Sequence, residues 1–457
     1  MVVLGLIHYV YLAIIVLIIG IIFLKRDVVI PCILGIGIIG FIETSSLLEA
    51  VQIIYKAILV SGREFIEIVL IISMVNAMSK SLSDIGADEL IVNPLRKFMI
   101  NKVVAFFVLG ITVTITSWFI WPTPATVFIG AIMVPAAVKV GLPKIWAAVA
   151  LSIFGKGIAL SSDFFIQGAP AITAKTAGIN DTSVIIKESI PFWIAMSVFT
   201  VGTAFFIMRR ETNKVAGYDE NQHIQEVIID KDPPKHNPKF IAITTPIAFL
   251  IDVIFIYIFK LKGQGATALI GGTAILILIV TSILNYGVVK SLGEVTRYIK
   301  DGFVFGIKVF APVIVIGAFF FLGSENTAKE ILGENATGLL TDMAMYISSK
   351  VTLSSFSVII IQGFVAVILG ISGSAFGGLP LMGSLAHAFN TAIGTDTSKV
   401  AAFGQVLSIW IGGTAIPWSV VSVAAICDVK PFDLARKNMI PVIVGIIATL
   451  IVAFILI

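Results

Sequence analysis

Apolar runs long enough to cross a bilayer as helices, about 20 residues each, fall near 3–24, 28–44, 63–80 and 188–208, and again near 240–259, 267–286, 303–323 and 438–457. Between them lie longer apolar stretches that Gly, Pro and Ser interrupt, at 103–141 and 143–177 in the first half and at 351–396 and 399–427 in the second. Two further segments, KSLSDIGADELIVNPLRKF (80–98) and SENTAKEILGENATGLLTDMAMY (324–346), set polar and apolar residues at helical spacing and predict helices lying in the membrane interface. Only 209–239 is extensively polar; with RRETNKVAGYDENQ and DKDPPKHNP it reads as a linker.

The order of these elements is the same on both sides of the linker. The pattern therefore predicts an all-α integral membrane fold of two inverted repeats, with about ten transmembrane spans plus two re-entrant hairpins. The first repeat occupies 1–208, with a hairpin at 103–141 and a broken helix at 143–177; a cytoplasmic linker follows at 209–239. The second repeat occupies 240–457, with a hairpin at 351–396 and a broken helix at 399–427. LSIFGKGIA (151–159) and LSIWIGGTA (407–415) share Leu, Ser, Ile, Gly and Ala at one fixed offset, which adds a little residue identity to the shared order. If each hairpin enters and leaves by one side, each half crosses five times, and an odd count inverts the second half. Placing both termini outside gathers Lys25, Arg26, Arg96, Lys97, Lys144, Arg209, Arg210, Arg297 and Arg436 on the cytoplasmic side, as the positive-inside rule requires.

Composition reinforces the membrane reading. The chain has 457 residues, 58% of them hydrophobic and only 13% charged, with a mean hydropathy of +1.05, more apolar surface than a soluble domain buries. The formal charge of +4 is scattered through short connections, so no stripe is available to follow a nucleic acid. Cys32 and Cys427 have no pairing logic. The first apolar run has no basic residue ahead of it and no small-residue cleavage pattern, and is expected to be a span instead of a removable signal peptide. No GxSxG, HExxH or P-loop pattern falls in an aqueous segment, so an enzyme is not expected.

The chemistry is expected where helices break. Non-helical backbone at membrane depth is tolerated only where protein or a water-filled cavity satisfies it, and paired breaks near the midplane are how inverted-repeat transporters build binding sites. Pro122 and Pro124 bracket Thr123 in SWFIWPTPATV, a hairpin tip; its counterpart is ISGSAFGGLPLMG. GKGIALSSDFFIQGAPAITAK and GGTAIPWSVVS form the second pair. The expected substrate and ion ligands are Thr123 and Thr126 of the first hairpin; Lys156, Ser161, Ser162, Asp163, Gln167, Gly168 and Pro170 of the first broken helix; Ser372, Gly373, Ser374 and Gly378 of the second tip; and Thr414 and Ser419 of the second broken helix. A charge inside the bilayer is expensive, which singles out Asp163 as a cation ligand or proton carrier, or as the internal partner of Lys156. Asp163, Thr123 and Ser372 are the expected ligands of a Na⁺; no other cofactor is expected. Lys175 either neutralises a carboxylate substrate or snorkels to the outer surface. Asp252, a second membrane-embedded acid, pairs within the scaffold or at a dimer contact.

The run from Met78 through SLSDIGADELIVNPLRKFM and LGITVTITSWFIWPTPATVFIGAIMVP, followed by GKGIALSSDFFIQGAP, resembles the first repeat of the ion transporter superfamily, which includes divalent anion/sodium symporters and citrate/gluconate-type permeases. Thr123, Gly168 and Pro170 match that pattern directly, while the Ser-Asn-Thr order of its hairpin tips is absent from both Trp121-Pro122-Thr123 and Ser372-Gly373-Ser374. The resemblance implies a dimerising scaffold and a mobile domain carrying both hairpins, moving as an elevator coupled to Na⁺ or H⁺. The resulting expectation is a membrane symporter for a small organic carboxylate, working as a homodimer. The alternatives are a cation/proton antiporter or inorganic-anion exporter on the same scaffold, and a non-transporting membrane subunit.

Overall fold

The apolar runs form helices throughout, and among the described residues there is no strand. The computed structural model describes residues 4–23, 26–119, 121–214, 238–259, 261, 264–350, 353–371, 376–417 and 419–457. The chain begins with α1 (Leu6–Phe23), α2 (Val29–Thr44) and α3 (Leu47–Asp84). Helix α3 starts where the Ser46 hydroxyl accepts the Glu49 N–H at 3.3 Å. It runs without a break through the segment between the second and third expected spans and into the start of 80–98. The rest of 80–98 is α4 (Ala87–Val92) and a 3₁₀ turn, Asn93–Phe98.

A hairpin follows, α5 (Lys102–Phe119) and α6 (Pro122–Lys139), then a broken helix. Its first arm is α7 (Lys144–Ala150), a π-helical stretch Leu151–Ala159 and α8 (Leu160–Ser162); its second is α9 (Gly168–Thr176). Helix α10 (Thr182–Lys214) ends the first half. The second half opens with α11 (Lys239–Ile258) and α12 (Gln264–Phe320), which turns at Gly287, where φ 75° and ψ 165° are outside the helical region. Then come α13 (Glu325–Leu332), α14 (Leu339–Lys350), the hairpin α15 (Ser355–Ile371) and α16 (Leu379–Ile393), and a second broken helix. This one is α17 (Thr397–Trp410), a π-helical stretch Ile411–Ala415 and α18 (Val421–Ile426); α19 (Pro431–Leu456) closes the chain.

One expectation needs correction. The segment 324–346 is not one continuous amphipathic helix: Gly333, at φ 120°, divides it, and residues 339–344 of α14 are buried in a helix packed on α16. The polar residues there find partners inside the protein; His8 Nε2 and Asp342 Oδ2 lie 3.2 Å apart.

Among the described residues, six helices are long and apolar enough to cross a membrane: Lys102–Phe119, Lys144–Ser162, Thr182–Asn213, Lys239–Ile256, Gly265–Gly323 and Pro431–Leu456. The protein is thus an all-helical membrane protein. Lys144–Ser162 is 94% buried, against at most 44% for the other five, so the broken helix is the interior element and the others face outward on at least one side. Helices α3 and α12 form a close pair: a Cβ on Gly302 or Gly306 would collide with Ser73, and the Ser61 hydroxyl donates to the Ile314 carbonyl at 2.7 Å. Small residues let membrane helices approach this closely, and hydroxyl hydrogen bonds hold them. Lys80 with Asp301 (2.5 Å) and Arg297 with Asp84 (3.3 Å) fasten the other end of the pair.

The hairpins and broken helices pack on one another. A π-helical turn frees carbonyls that the α-helical ladder would use. Side chains take these up: Thr114 Oγ1 donates to Phe154 O at 3.2 Å, Trp193 Nε1 to Ile158 O at 2.9 Å, and Asn438 Nδ2 to Thr414 O at 2.7 Å. The first π-helical stretch spans the whole of LSIFGKGIA and the second the last five residues of LSIWIGGTA, and they meet at the glycine the two segments share. A Cβ on Gly157 would lie 2.6 Å from the Trp410 ring, and one on Gly413 would lie 2.7 Å from the Lys156 carbonyl oxygen. The second obstacle is main chain and cannot rotate away. Gly413→Val is therefore expected to lower stability by about 1–3 kcal/mol, read as a lower thermal midpoint of the purified protein, whereas Gly272→Val, with open space around it, leaves the midpoint in place. Equal midpoints for the two variants would refute this packing.

Candidate functional site

The first broken helix before its break, the second broken helix at its break and the two hairpin tips surround a cavity of about 280 Å³. Its wall is Trp121, Pro122 and Thr123 from the first tip, Lys156 and Leu160 from the first broken helix, Gly412, Gly413 and Ser419 from the second, Phe376 from the second tip, and Val309 of α12. Phe376 stacks between the tips and the α3/α12 pair: its ring centroid is 5.2 Å from that of Trp121 and 6.1 Å from that of Phe310.

Lys156 is the single charged side chain in this wall among the described residues. It is 8% exposed, and its ammonium donates to the Ser419 carbonyl at 2.5 Å and lies 3.3 Å from the Ser422 hydroxyl. The Ser419 carbonyl is free for this because Ile416, extended at φ −106° and ψ 126°, takes the chain out of the helix. With three N–H donors and two neutral oxygens as its partners, the buried ammonium has no carboxylate to balance it among the described residues. Among the described residues, no ion pair joins it to Asp163, contrary to the internal pairing considered from sequence.

Asp163 has a different position. At φ 36° and ψ 47° it occupies the left-handed region that Asp tolerates. Its Oδ1 accepts the Gln167 N–H at 3.0 Å and its Oδ2 the Ala169 N–H at 2.9 Å. The carboxylate thus caps the N-terminus of α9, where the helix dipole favours negative charge, and it is not part of the cavity wall. Of the trio expected to share a Na⁺, Thr123 lines the cavity and Asp163 caps α9, while Ser372, with Gly373 and Ser374, lies outside the described residues.

The remaining expected ligands are mostly satisfied locally. Thr126 donates to Thr123 O at 2.9 Å, Ser161 to Gly157 O at 2.6 Å, and Thr414 to Trp410 O at 2.6 Å. Ser162 donates to Ile158 O at 2.9 Å and accepts Trp118 Nε1 at 2.8 Å. Gly168 and Pro170 are buried in the first turn of α9, and Gly378 packs beside Leu369 and the Ser408 hydroxyl. Ser419 lines the cavity while its hydroxyl donates to Ile416 O at 2.8 Å. Gln167 lines a separate, water-sized pocket between α3 and α9, together with Glu64, Glu67 and Lys175. There Lys175 pairs with Glu64 at 3.1 Å, both of them part-exposed, and it is not part of the cavity wall.

Of the cavity wall, Thr123, Lys156 and Ser419 were legible as candidates in the sequence. Phe376 and Val309 carry no signal there, because an aromatic or aliphatic residue in an apolar run is indistinguishable from one facing lipid. Ser422, which helps hold Lys156, signals itself only as a hydroxyl three residues beyond Ser419.

Residues 35–457 match the family described as DcuC, C4-dicarboxylate anaerobic carrier. The chain is also 36% identical, over 457 residues, to the uncharacterized membrane protein YhfA of Bacillus subtilis (strain 168), an alignment covering 98% of this chain and 97% of that protein.

Proposed function

The chain belongs to the DcuC family of C4-dicarboxylate anaerobic carriers, and from that premise we propose that it moves a four-carbon dicarboxylate across the cell membrane through the cavity that Lys156 lines. The observation carrying this reading is the buried Lys156 ammonium with no carboxylate partner. A charge held inside a membrane protein needs a counter-charge, and a substrate carboxylate arriving in the cavity supplies one. A wall with one ammonium and no acid favours an organic anion over the cation/proton antiport alternative.

Within this reading the carrier is a Na⁺- or H⁺-coupled symporter. The hairpins and broken helices move together as an elevator against a scaffold that includes α3 and α12, supported by the close Gly302–Ser73 and Gly306–Ser73 contacts within that pair. The two halves are inverted repeats of one unit, supported by the shared LSI segments meeting at Gly157 and Gly413. Both termini are outside, the 209–239 linker is cytoplasmic and the scaffold dimerises, as the charge distribution and the superfamily resemblance led us to expect.

The test is thermal stabilisation of the purified protein by a series of dicarboxylates of increasing chain length, with Na⁺ present or replaced by choline. A ligand at a hundredfold excess over its Kd raises stability by about 2.7 kcal/mol. Succinate and its four-carbon relatives are expected to raise the melting point more than malonate or glutarate. If no dicarboxylate stabilises the protein, the reading fails.

A further inference from the structure

A second buried acid lies away from the cavity. Asp252 of α11 is 4% exposed. Its Oδ1 accepts the Thr273 hydroxyl of α12 at 2.9 Å, and its Oδ2 has no hydrogen-bond partner among the described residues. Ionisable side chains on the elements packed against α11 are Asp88 and Glu89 on α4, and Lys290, Glu294, Arg297, Tyr298, Lys300, Asp301 and Lys308 beyond Tyr286 on α12. Lys102 is the ionisable residue of α5, which reaches α11 through Phe119. Among the described residues, none of these is an ion-pair or hydrogen-bond partner of the Asp252 carboxylate, whose partner is the Thr273 hydroxyl.

Two features distinguish this site from a simple inter-helix tie. The first is a seam of polar atoms without protein partners. Thr245 lies two turns before Asp252 on α11, and Thr281 lies about two turns after Thr273 on α12; both hydroxyls, and that of Ser282, are buried and have no partner among the described residues. Consecutive antiparallel helices bring such positions to one face, and buried polar atoms lacking a protein partner are where internal water sits. The seam leads from Asp252 towards the Lys239 end of α11. The second feature is a link to the cavity. Phe249, one turn before Asp252, stacks on Phe119 with centroids 4.9 Å apart, and Phe119 stacks on Phe165 at 4.7 Å. Phe119 ends the first hairpin arm, two residues before Trp121 of the cavity wall, and Phe165 lies in the break after Asp163. Displacement of the first hairpin tip therefore uncovers α11 one turn from Asp252.

We propose that Asp252 is a protonation site: its carboxylate takes up a proton when the first hairpin tip moves and gives it up through the α11/α12 seam, which makes the proton the coupling ion of the carrier. This rests on the dicarboxylate reading above. Unlike a sodium ligand, such a site needs only one oxygen free of partners. Neutralising a carboxylate that has no counter-charge removes the penalty of its burial, so the protonated form suits the covered state and the ionised form the uncovered one.

The experiment uses the full chain in liposomes with labelled succinate. Wild type is expected to show counterflow at equal pH and faster uptake when the outside is acidified. Asp252→Asn, which keeps an oxygen for Thr273 but does not titrate, is expected to retain counterflow while its uptake falls to the rate seen without a gradient. Thr273→Val, which removes the donor that stabilises the ionised form, is expected to move the pH midpoint of uptake upward; this variant decides the matter if the first does not fold. Gradient-stimulated uptake by Asp252→Asn, loss of its counterflow in folded protein, an unmoved midpoint in Thr273→Val, or wild-type uptake indifferent to the gradient would each overturn the proposal. Absence of wild-type counterflow would instead overturn the dicarboxylate reading itself.

Discussion

Lys156→Gln is expected to weaken dicarboxylate binding by about 10- to 100-fold. A hydrogen bond to a charged group contributes about 1.5–3 kcal/mol, and 1.4 kcal/mol corresponds to a factor of ten. The same change is expected to raise the melting point of the ligand-free protein. In the native protein an ammonium is buried against only a carbonyl and a hydroxyl, and removing a charge without a counter-charge relieves its desolvation. A rise in apo stability accompanied by a loss of ligand-induced stabilisation separates a binding role from a structural one, because a structural lysine would show the opposite first sign. Lys156→Arg keeps the charge, but its planar fork does not fit the single Ser419 carbonyl in the same way; partial binding is expected. Titration of the Kd by calorimetry or by thermal shift checks all three statements, and an unchanged Kd in Lys156→Gln would remove Lys156 from the site.

Asp163→Ala is expected to destabilise the protein strongly while its melting point responds to the exchange of Na⁺ for choline as wild type does. The carboxylate satisfies two buried N–H groups, of Gln167 and Ala169, and each donor left unpaired costs about 1–3 kcal/mol, so the loss is about 2–6 kcal/mol. The alanine must also adopt the left-handed backbone at φ 36°, unfavourable for a residue with a Cβ and no local hydrogen bond. Asp163→Asn keeps one acceptor and tolerates that backbone, and is expected to recover about half of the stability. Melting curves of the three proteins with Na⁺ or choline make the distinction. Should Asp163→Ala melt like wild type but lose a Na⁺-dependent shift, the carboxylate is an ion ligand and not a cap.

The contrast between these two residues shows how the sequence was informative. Both Lys156 and Asp163 stood out because a charge in an apolar run demands an explanation, and they were seven residues apart in the same broken helix. Sequence spacing offered pairing between them, or an ion beside Asp163. The fold gives each charge backbone partners: a break at Ile416 exposes the Ser419 carbonyl to Lys156 from the other half of the chain, and the left-handed turn at Asp163 directs its carboxylate onto the α9 N–H groups. Hydropathy does not report where a freed carbonyl or an N-terminal N–H group points.

By itself, the sequence determined that this is a helical membrane protein, because so apolar a composition has only lipid as a solvent and lipid allows unsatisfied backbone to exist only where protein or water satisfies it. It also located the interruptions by their Pro, Gly and Ser residues, at 103–141, 143–177, 351–396 and 399–427, since those residues alter helical geometry locally and need no partner to do so. Tertiary structure alone decided which of the interruptions' residues share a wall. Phe376, Val309 and Ser422 join Lys156 through contacts between segments more than 150 residues apart, and such contacts depend on how helices stack, a property of volumes and glycine gaps such as Gly157 and Gly413 that no local pattern encodes.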